Sequence, residues 1–175
     1  WQFTTRPAPA SPTSLRVAAD GADSADFSSL QGALNWVMTH CSSGSPSGFG
    51  CNTGATAKTI TLAPGIYREM NLLRRVNNLS VVGDSRDGVI VGDVNFESLN
   101  AGSGATSTSP GTGLSTSGRT AGHRVLGGGR ASWLVESADL LTLRNFTLRN
   151  PHERSSAYDN QAEAVYFNTS TTAAA

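Results

Sequence analysis

Short apolar stretches separated by turn residues recur along most of the chain. Several are apolar at successive positions, which is typical of strands covered on both faces or stacked in a parallel core. The stretches are Leu15–Ala19, Thr59–Leu62, Leu79–Val82, Val89–Val91, Trp133–Val135, Leu140–Leu143, Phe146–Leu148 and Ala164–Phe167. The pattern predicts a protein built mainly from short parallel strands.

One segment, from Phe27 to Thr39, has helical periodicity. Its apolar side chains recur at spacings of three and four and so share one helix face. Asp26 precedes the segment and is the expected N-cap. Without further helices to make crossovers, parallel strands predict an all-β fold, a parallel β-helix (solenoid). This helix would cap its N-terminal end.

Two segments fall outside the strand pattern. Residues 1–14 are rich in proline and predict an extended arm, which leaves residues 15–175 as the N-terminal coils of a single β-helix domain. Residues 100–129 contain almost no large apolar side chains and predict a long loop insertion. No second cap follows Phe167. We therefore expect the solenoid to continue in residues beyond Ala175 or in another polypeptide.

Composition narrows the functional classes. The chain has 175 residues, with 13 Lys and Arg against 13 Asp and Glu, so its formal net charge is zero. This balance argues against binding to nucleic acid or to an anionic membrane. No apolar run reaches the ~18–20 residues of a membrane-spanning helix. Few charges and many Gly, Ser and Thr residues favour an extracellular protein, and the absence of a leader at Trp1 suggests a processed, secreted or periplasmic product.

The two cysteines, Cys41 and Cys51, flank the segment SSGSPSGFG. In a chain of this composition they predict a local disulfide, which would stabilise the fold by about 2–3 kcal/mol. The alternative is a metal site that also uses His40. It lacks a fourth ligand and a Cys-x-x-Cys pair, so a disulfide and no metal is the expectation.

Six motifs occur in a fixed order: Val17–Gly21, Asp26–Leu34, Ile60–Glu69 with its Pro-Gly-x-Tyr-x-Glu turn, Leu79–Gly92, Leu143–Asn150 and Asn160–Val165. Together they resemble the pectin methylesterases, carbohydrate esterases built on a right-handed parallel β-helix, over about residues 15–170. The insertion and the local cysteine pair resemble a bacterial branch. The resemblance implies hydrolysis of the methyl esters of polygalacturonate (homogalacturonan) to pectate and methanol, without a cofactor.

The resemblance also implies where the chemistry lies. The family uses an aspartate nucleophile and an aspartate general acid, both located after the segment matched by Asn160–Val165. This chain is therefore expected to be inactive alone, and to need the C-terminal remainder of the enzyme in the same or a separate chain. A family threonine that contacts substrate falls near Gly127–Gly129, where this chain has none.

Three residues remain as site candidates. Gln161 matches the family's first active-site glutamine, whose amide would donate to the oxygen of the attacked carbonyl. Tyr158 could stack on a sugar ring. Glu163 is two residues from Gln161 and should share its face of a strand, where it would line the groove without doing chemistry.

Other acidic residues in this region are expected to be solvated rather than catalytic: Asp159 and Glu153. The Pro64-Gly65 turn gives Tyr67 and Glu69 structural roles, and Trp133 is expected in the core.

Two further interpretations stay open. One is a β-helix esterase or thioesterase with a changed substrate, and the other is a non-catalytic carbohydrate-binding β-helix. An intact pair of aspartates after Ala175 would support esterase chemistry, and altered aromatic residues in the groove would indicate a changed substrate. A carbohydrate-binding β-helix would bind oligogalacturonides without turnover, even with its C-terminal half complete.

Overall fold

The computed structural model describes residues 6–11, 13–22, 24–40, 56–74, 76–96, 131–136, 138–153 and 162–168. Within these residues it contains one helix and ten strands. They are β1 Ser14–Val17, α1 Leu30–Thr39, β2 Lys58–Leu62, β3 Gly65–Tyr67, β4 Asn71–Arg74, β5 Leu79–Gly83, β6 Val89–Val91, β7 Ala131–Glu136, β8 Leu141–Arg144, β9 Thr147–Leu148 and β10 Glu163–Asn168.

The strands form three sheets, with orders β1-β2-β5-β8, β10-β7-β4 and β3-β6-β9. Every strand pair in the first two sheets is parallel. The prediction of short parallel strands is therefore confirmed, and the arrangement is consistent with a parallel β-helix. Strands β3 and β4 were not predicted, because Gly65 was assigned to a turn and Asn71–Arg74 mixes polar and apolar side chains.

The chain divides into two compact units: Trp1–Tyr67, Arg75–Ile90 and Asp139–Thr147 in the first, and Arg68–Arg74, Val91–Ala138 and Leu148–Ala175 in the second. The predicted division into an arm, one domain and an insertion stays a prediction. Residues 100–129 lie outside the described residues.

The first unit contains the four-stranded sheet. Its strands stack in register, so that Leu15, Ile60, Val81 and Leu143 form one row across it. Leu15, Ile60 and Val81 are buried. Alternate residues of β2 and β5 are buried, as expected where one face of a strand packs against a core.

Helix α1 packs against β1 and β2 with the apolar face that the sequence predicts, and Leu30, Leu34 and Val37 are buried. The predicted N-cap is wrong. Ser29 caps the helix, and its hydroxyl accepts a hydrogen bond from the Gly32 amide at 3.1 Å. Asp26 instead accepts from the backbone amide of Arg16 at 2.7 Å, which places it in the connection that precedes the helix.

Polar side chains fasten the loops of the first unit. The Tyr67 hydroxyl lies 2.8 Å from the Ala63 oxygen and 3.1 Å from the Val17 oxygen, and burial raises the pKa of this phenol. These contacts agree with the predicted structural role. The Arg6 guanidinium donates to backbone oxygens of the 21–25 loop, so this part of residues 1–14 is held against the unit.

The second unit contains the sheet β10-β7-β4. Asn71, Trp133 and Val165 form one row across it, and Trp133 is buried as predicted. All six residues of β7 are buried, so the central strand of this sheet is covered on both faces. No helix in the described part of the chain is long and apolar enough to cross a membrane.

Candidate functional site

The predicted site residues divide into two groups. Glu163 is described and begins β10. Gln161 and Tyr158, together with Cys41 and Cys51, lie outside the described residues. The predicted roles of all five therefore stay predictions.

Glu163 occupies the start of the edge strand of the β10-β7-β4 sheet. It is in register with Ala131, two residues before the pair formed by Val165 and Trp133. Strand alternation places Glu163 on the same face as Trp133. Its carboxylate oxygen Oε2 is buried, and its backbone oxygen accepts a hydrogen bond from Asn150.

Asn150 joins three segments of the second unit. Its Nδ2 donates to the backbone oxygens of Asn95 at 2.7 Å and Glu163 at 2.9 Å. Its Oδ1 accepts from the amides of Asn95 at 3.3 Å and His152 at 3.2 Å. The Asn150 amide both donates and accepts hydrogen bonds. It therefore takes the place of backbone hydrogen bonds between strands where these segments do not pair. Asn150 thus fixes where β10 begins.

Asn95 extends this network to β7. It is 1% exposed, and its Nδ2 donates to the backbone oxygen of Ala131 at 2.8 Å. The Ser132 hydroxyl donates to the Asp93 oxygen at 2.7 Å. Segment 93–95 is therefore fastened to the first residues of β7. The network therefore fixes the positions of Ala131 and Glu163 relative to each other, and these two residues are partners in the β7–β10 register.

A stacked pair of rings lies beside this network. Phe96 and His152 have centroids 3.9 Å apart and ring planes at 11°. His152 is half-buried. Asn95 directly precedes Phe96, and Asn150 lies two residues before His152. Because Asn95 and Asn150 hydrogen-bond to each other, they bring the two rings together.

The other end of the sheet carries an ion pair. Arg74 on β4 and Glu136 on β7 are register partners, and Arg74 Nε lies 2.6 Å from Glu136 Oε2. The Arg74 side chain is 36% exposed, whereas that of Glu136 is 5% exposed. The sheet thus holds an almost completely buried carboxylate that is bound by a half-exposed guanidinium.

The hydrogen bonds described above join these side chains to the backbone and to each other: Asn95, Ser132 and Asn150 donate to backbone oxygens, and Arg74 donates to Glu136. No group of three or more His, Cys, Asp or Glu side chains in the described ranges is arranged to hold a metal ion.

Sequence reasoning missed Asn95, Arg74, Glu136 and the pairing of His152. A signal existed for Asn150, since it ends the motif Leu143–Asn150. None existed for the Arg74–Glu136 pair. The two residues are 62 positions apart, and only the parallel register of β4 with β7 brings them together.

Comparisons with known proteins bear on the fold. The chain matches no protein-family profile and no curated protein sequence. Among solved structures it is similar to pectin methylesterase PemA from Erwinia chrysanthemi, with 21% identity and a TM-score of 0.52 over 94% of this chain. It is also similar to the carrot pectin methylesterase, with 17% identity and a TM-score of 0.52 over 95% of this chain.

A third similar structure is Escherichia coli YbhC, with 14% identity and a TM-score of 0.60 over 95% of this chain. The chain spans only 40%, 37% and 42% of the lengths of these three proteins, in the order given. At such identities the likeness establishes a fold. The chain has a fold like that of part of a pectin methylesterase.

Proposed function

We propose that this chain forms the N-terminal coils of a right-handed parallel β-helix in a secreted pectin methylesterase. The observation that carries the proposal is the agreement between two independent results. Six motifs of the sequence follow the order of that family, and the fold is like that of pectin methylesterases over 94–95% of the chain. The parallel register of the four-stranded sheet and of the β10-β7-β4 sheet supports the solenoid.

In the proposed reaction an aspartate beyond residue 175 attacks the carbonyl carbon of a galacturonate methyl ester. A second aspartic acid protonates the departing methoxide, which leaves as methanol, and water then hydrolyses the acyl-enzyme to pectate. The Gln161 amide donates a hydrogen bond to the carbonyl oxygen as negative charge develops there. Asn150 supports this role indirectly, because it fixes the start of the strand that follows Gln161.

Tyr158 and Glu163 are proposed to contact the polysaccharide at the same strand end, and the disulfide between Cys41 and Cys51 to form in an oxidising compartment. The partner is methyl-esterified homogalacturonan. The remaining coils come from the C-terminal part of the same enzyme. Some similar structures are complexes of pectin methylesterases with hexasaccharides, which supports a polysaccharide as the ligand class.

Methanol release from methyl-esterified pectin tests the proposal. The natural polypeptide that carries this sequence, at its full length, is expected to release methanol, whereas the 175-residue chain alone is not. Oligogalacturonide binding without methanol release by the full polypeptide would favour a carbohydrate-binding β-helix. Hydrolysis of other esters but not of pectin would favour a changed substrate.

Gln161→Ala in the full polypeptide is expected to lower methanol release by about 10²–10³, the usual effect of losing an oxyanion donor. Gln31→Ala is the matched control. It removes an amide of the same type from α1, where Gln31 Nε2 donates to Asn35 Oδ1 at 2.8 Å. Equal rates for the two variants would remove Gln161 from the mechanism.

A further inference from the structure

The four-stranded sheet of the first unit carries a row of hydroxyl groups on the face that points away from the core. The strand register aligns one hydroxyl from each strand, and this hydroxyl row consists of Ser14, Thr59, Ser80 and Thr142. Alternation along each strand puts the row on the face opposite Leu15, Ile60 and Val81, which are buried. The members on the two edge strands are exposed, and those on β2 and β5 are half-exposed.

The next row on the same face adds a positive charge. It lies two residues further along each strand and consists of Arg16, Thr61, Val82 and Arg144. Arg16 donates from both terminal nitrogens to Asp84, at 2.9 and 2.6 Å, so its charge is compensated. Arg144 is exposed and forms no ion pair with another residue of the described ranges. The guanidinium of Arg144 therefore faces solvent at the end of this row.

The hydroxyl groups of this face have the bonding capacity of a sugar. Within the part of the chain that the structure describes, the hydroxyls of the row and of Thr61 form no hydrogen bond with other residues. Each can donate one hydrogen bond and accept two, as a sugar hydroxyl does. Ser and Thr side chains are short, so little conformational entropy is lost when they bind. The face therefore matches a ligand that carries many hydroxyl groups.

The spacing of the hydroxyl row indicates that this ligand is a polymer. Adjacent strands of a sheet lie about 4.8 Å apart, so the row over four strands is about 14 Å long. A pyranose unit in an extended polysaccharide has a length close to one strand spacing. A polysaccharide that crosses the strands at right angles can therefore place successive sugar units over successive strands.

We propose that this face binds a polyuronate chain laid across β1, β2, β5 and β8, with sugar hydroxyls on the hydroxyl row and a free uronate carboxylate on Arg144. The inference rests on the proposed function, which supplies the polymer. Since Arg16 and Asp84 neutralise each other, Arg144 leaves the two rows with a net positive charge. The planar fork of a guanidinium is complementary to a carboxylate, so the charge favours a uronate over a neutral sugar.

The affinity of the full natural polypeptide for three polymers tests the proposal: polygalacturonate, fully methyl-esterified pectin and polyglutamate. Arg144→Gln is expected to bind polygalacturonate about tenfold more weakly, as for the loss of one hydrogen bond between charged groups. Its affinity for methyl-esterified pectin is expected to change by less than about twofold. The double variant Thr59→Val with Thr142→Val is expected to bind both polysaccharides about tenfold more weakly, as for the loss of two neutral hydrogen bonds.

These substitutions keep the fold, because valine has nearly the shape of threonine and favours strands, and Arg144 is exposed. Two controls make the same changes elsewhere in the first unit. Arg86→Gln removes an arginine whose side chain is 78% exposed, and Thr39→Val removes a hydroxyl from the last residue of α1. Both controls are expected to bind all three polymers like wild type. Polyglutamate has carboxylates but no sugar ring, so the double threonine variant is also expected to bind it like wild type.

Unchanged polygalacturonate binding in either the Arg144 variant or the double threonine variant overturns the binding face. An equal loss of polyglutamate binding in Arg144→Gln also overturns it, because the effect would then be one of general charge. Methanol release from methyl-esterified pectin by the wild type is measured separately. Normal release with unchanged binding in the variants overturns the binding face alone. Absent release with weakened binding in the variants overturns the esterase proposal and leaves a polyuronate-binding face.

Discussion

The four-stranded sheet of the first unit and the β10-β7-β4 sheet of the second unit use the same kind of ion pair in different surroundings. Arg16–Asp84 and Arg74–Glu136 both join an arginine to a carboxylate at 2.6 Å. In the first pair both side chains are more than a third exposed, at 39% and 35%. In the second pair the carboxylate is 5% exposed. The two ion pairs therefore differ in the burial of the carboxylate and not in the distance between the charged atoms.

The wider distribution of polar residues follows the same division. Among the described residues, five polar or charged residues are buried, and four of them belong to the second unit: Asn71, Asn95, Ser132 and Glu136. The fifth, Lys58, donates to the backbone oxygens of Thr56 and Asn77, and burial lowers the pKa of its ammonium. Buried polar groups cost free energy and specify position. Buried polar side chains therefore specify the positions of strands and loops more in the second unit than in the first, among the described residues.

The largest expected difference between the two sheets is in the response to losing an arginine. Arg74→Met leaves the Glu136 carboxylate buried without its guanidinium and is expected to lower the free energy of unfolding by about 3 kcal/mol. Arg16→Met is the matched control and is expected to cost less than about 1 kcal/mol. Denaturant unfolding followed by tryptophan fluorescence measures both. Equal costs would show that burial does not distinguish the pairs.

Asn150→Asp tests the network that fixes the start of β10. The substitution keeps the shape but removes the two N–H donors that reach the Asn95 and Glu163 oxygens. We expect a cost of about 2 kcal/mol, because two carbonyls lose their donor and face a carboxylate. Asn145→Asp is the control in the first unit, where one donor bond to the Gly83 oxygen is lost at 2.7 Å.

The same denaturation measurement, together with amide hydrogen exchange at β10, reports both variants. Asn150→Asp should increase exchange along Glu163–Asn168, whereas Asn145→Asp should not. Increased exchange of β10 in both variants would contradict the assignment of a local anchoring role to Asn150.

Leu140→Asn is expected to stabilise the first unit by about 1 kcal/mol. Leu140 has φ 53° and is 77% exposed, so its side chain gains little burial while its backbone adopts a left-handed conformation. Asparagine tolerates this conformation and occurs in it at Asn78 (φ 55°), the residue that precedes β5 as Leu140 precedes β8. Leu140→Ala keeps the backbone strain and is the control. A gain of equal size in both variants would show that side-chain exposure is responsible.

How much of this could be predicted from sequence depends on the range of the interactions. The strands of the first sheet were predictable because short local segments such as Thr59–Leu62 alternate polar and apolar residues, and the structure buries the apolar ones. The helix face was predictable for the same reason, but not its cap, since Asp26 and Ser29 are both good N-caps and only the path of the chain selects Ser29. The Arg74–Glu136 pair was not predictable, because it depends on a register between distant strands.

The smallest expected effect concerns pH and the exposed pair of the first unit. The hydrogen bonds from Arg16 hold the pKa of the Asp84 carboxyl below its ordinary value of 3.8. The unfolded state then binds the proton more readily. The stabilisation is therefore fully present above about pH 5, and it is lost as the pH falls through the lower pKa of the folded state.

Asp84→Asn removes this stabilisation and is expected to lower the free energy of unfolding by less than about 1 kcal/mol at pH 7, because the side chains of Arg16 and Asp84 are both accessible to solvent. The difference between wild type and variant should shrink below pH 4, where the wild-type carboxylate also becomes neutral. Melting temperatures of both proteins between pH 7 and pH 3 measure this. A difference that grows towards acid would contradict the direction of the pKa shift, and with it the assignment of Asp84 to a weak, exposed pair.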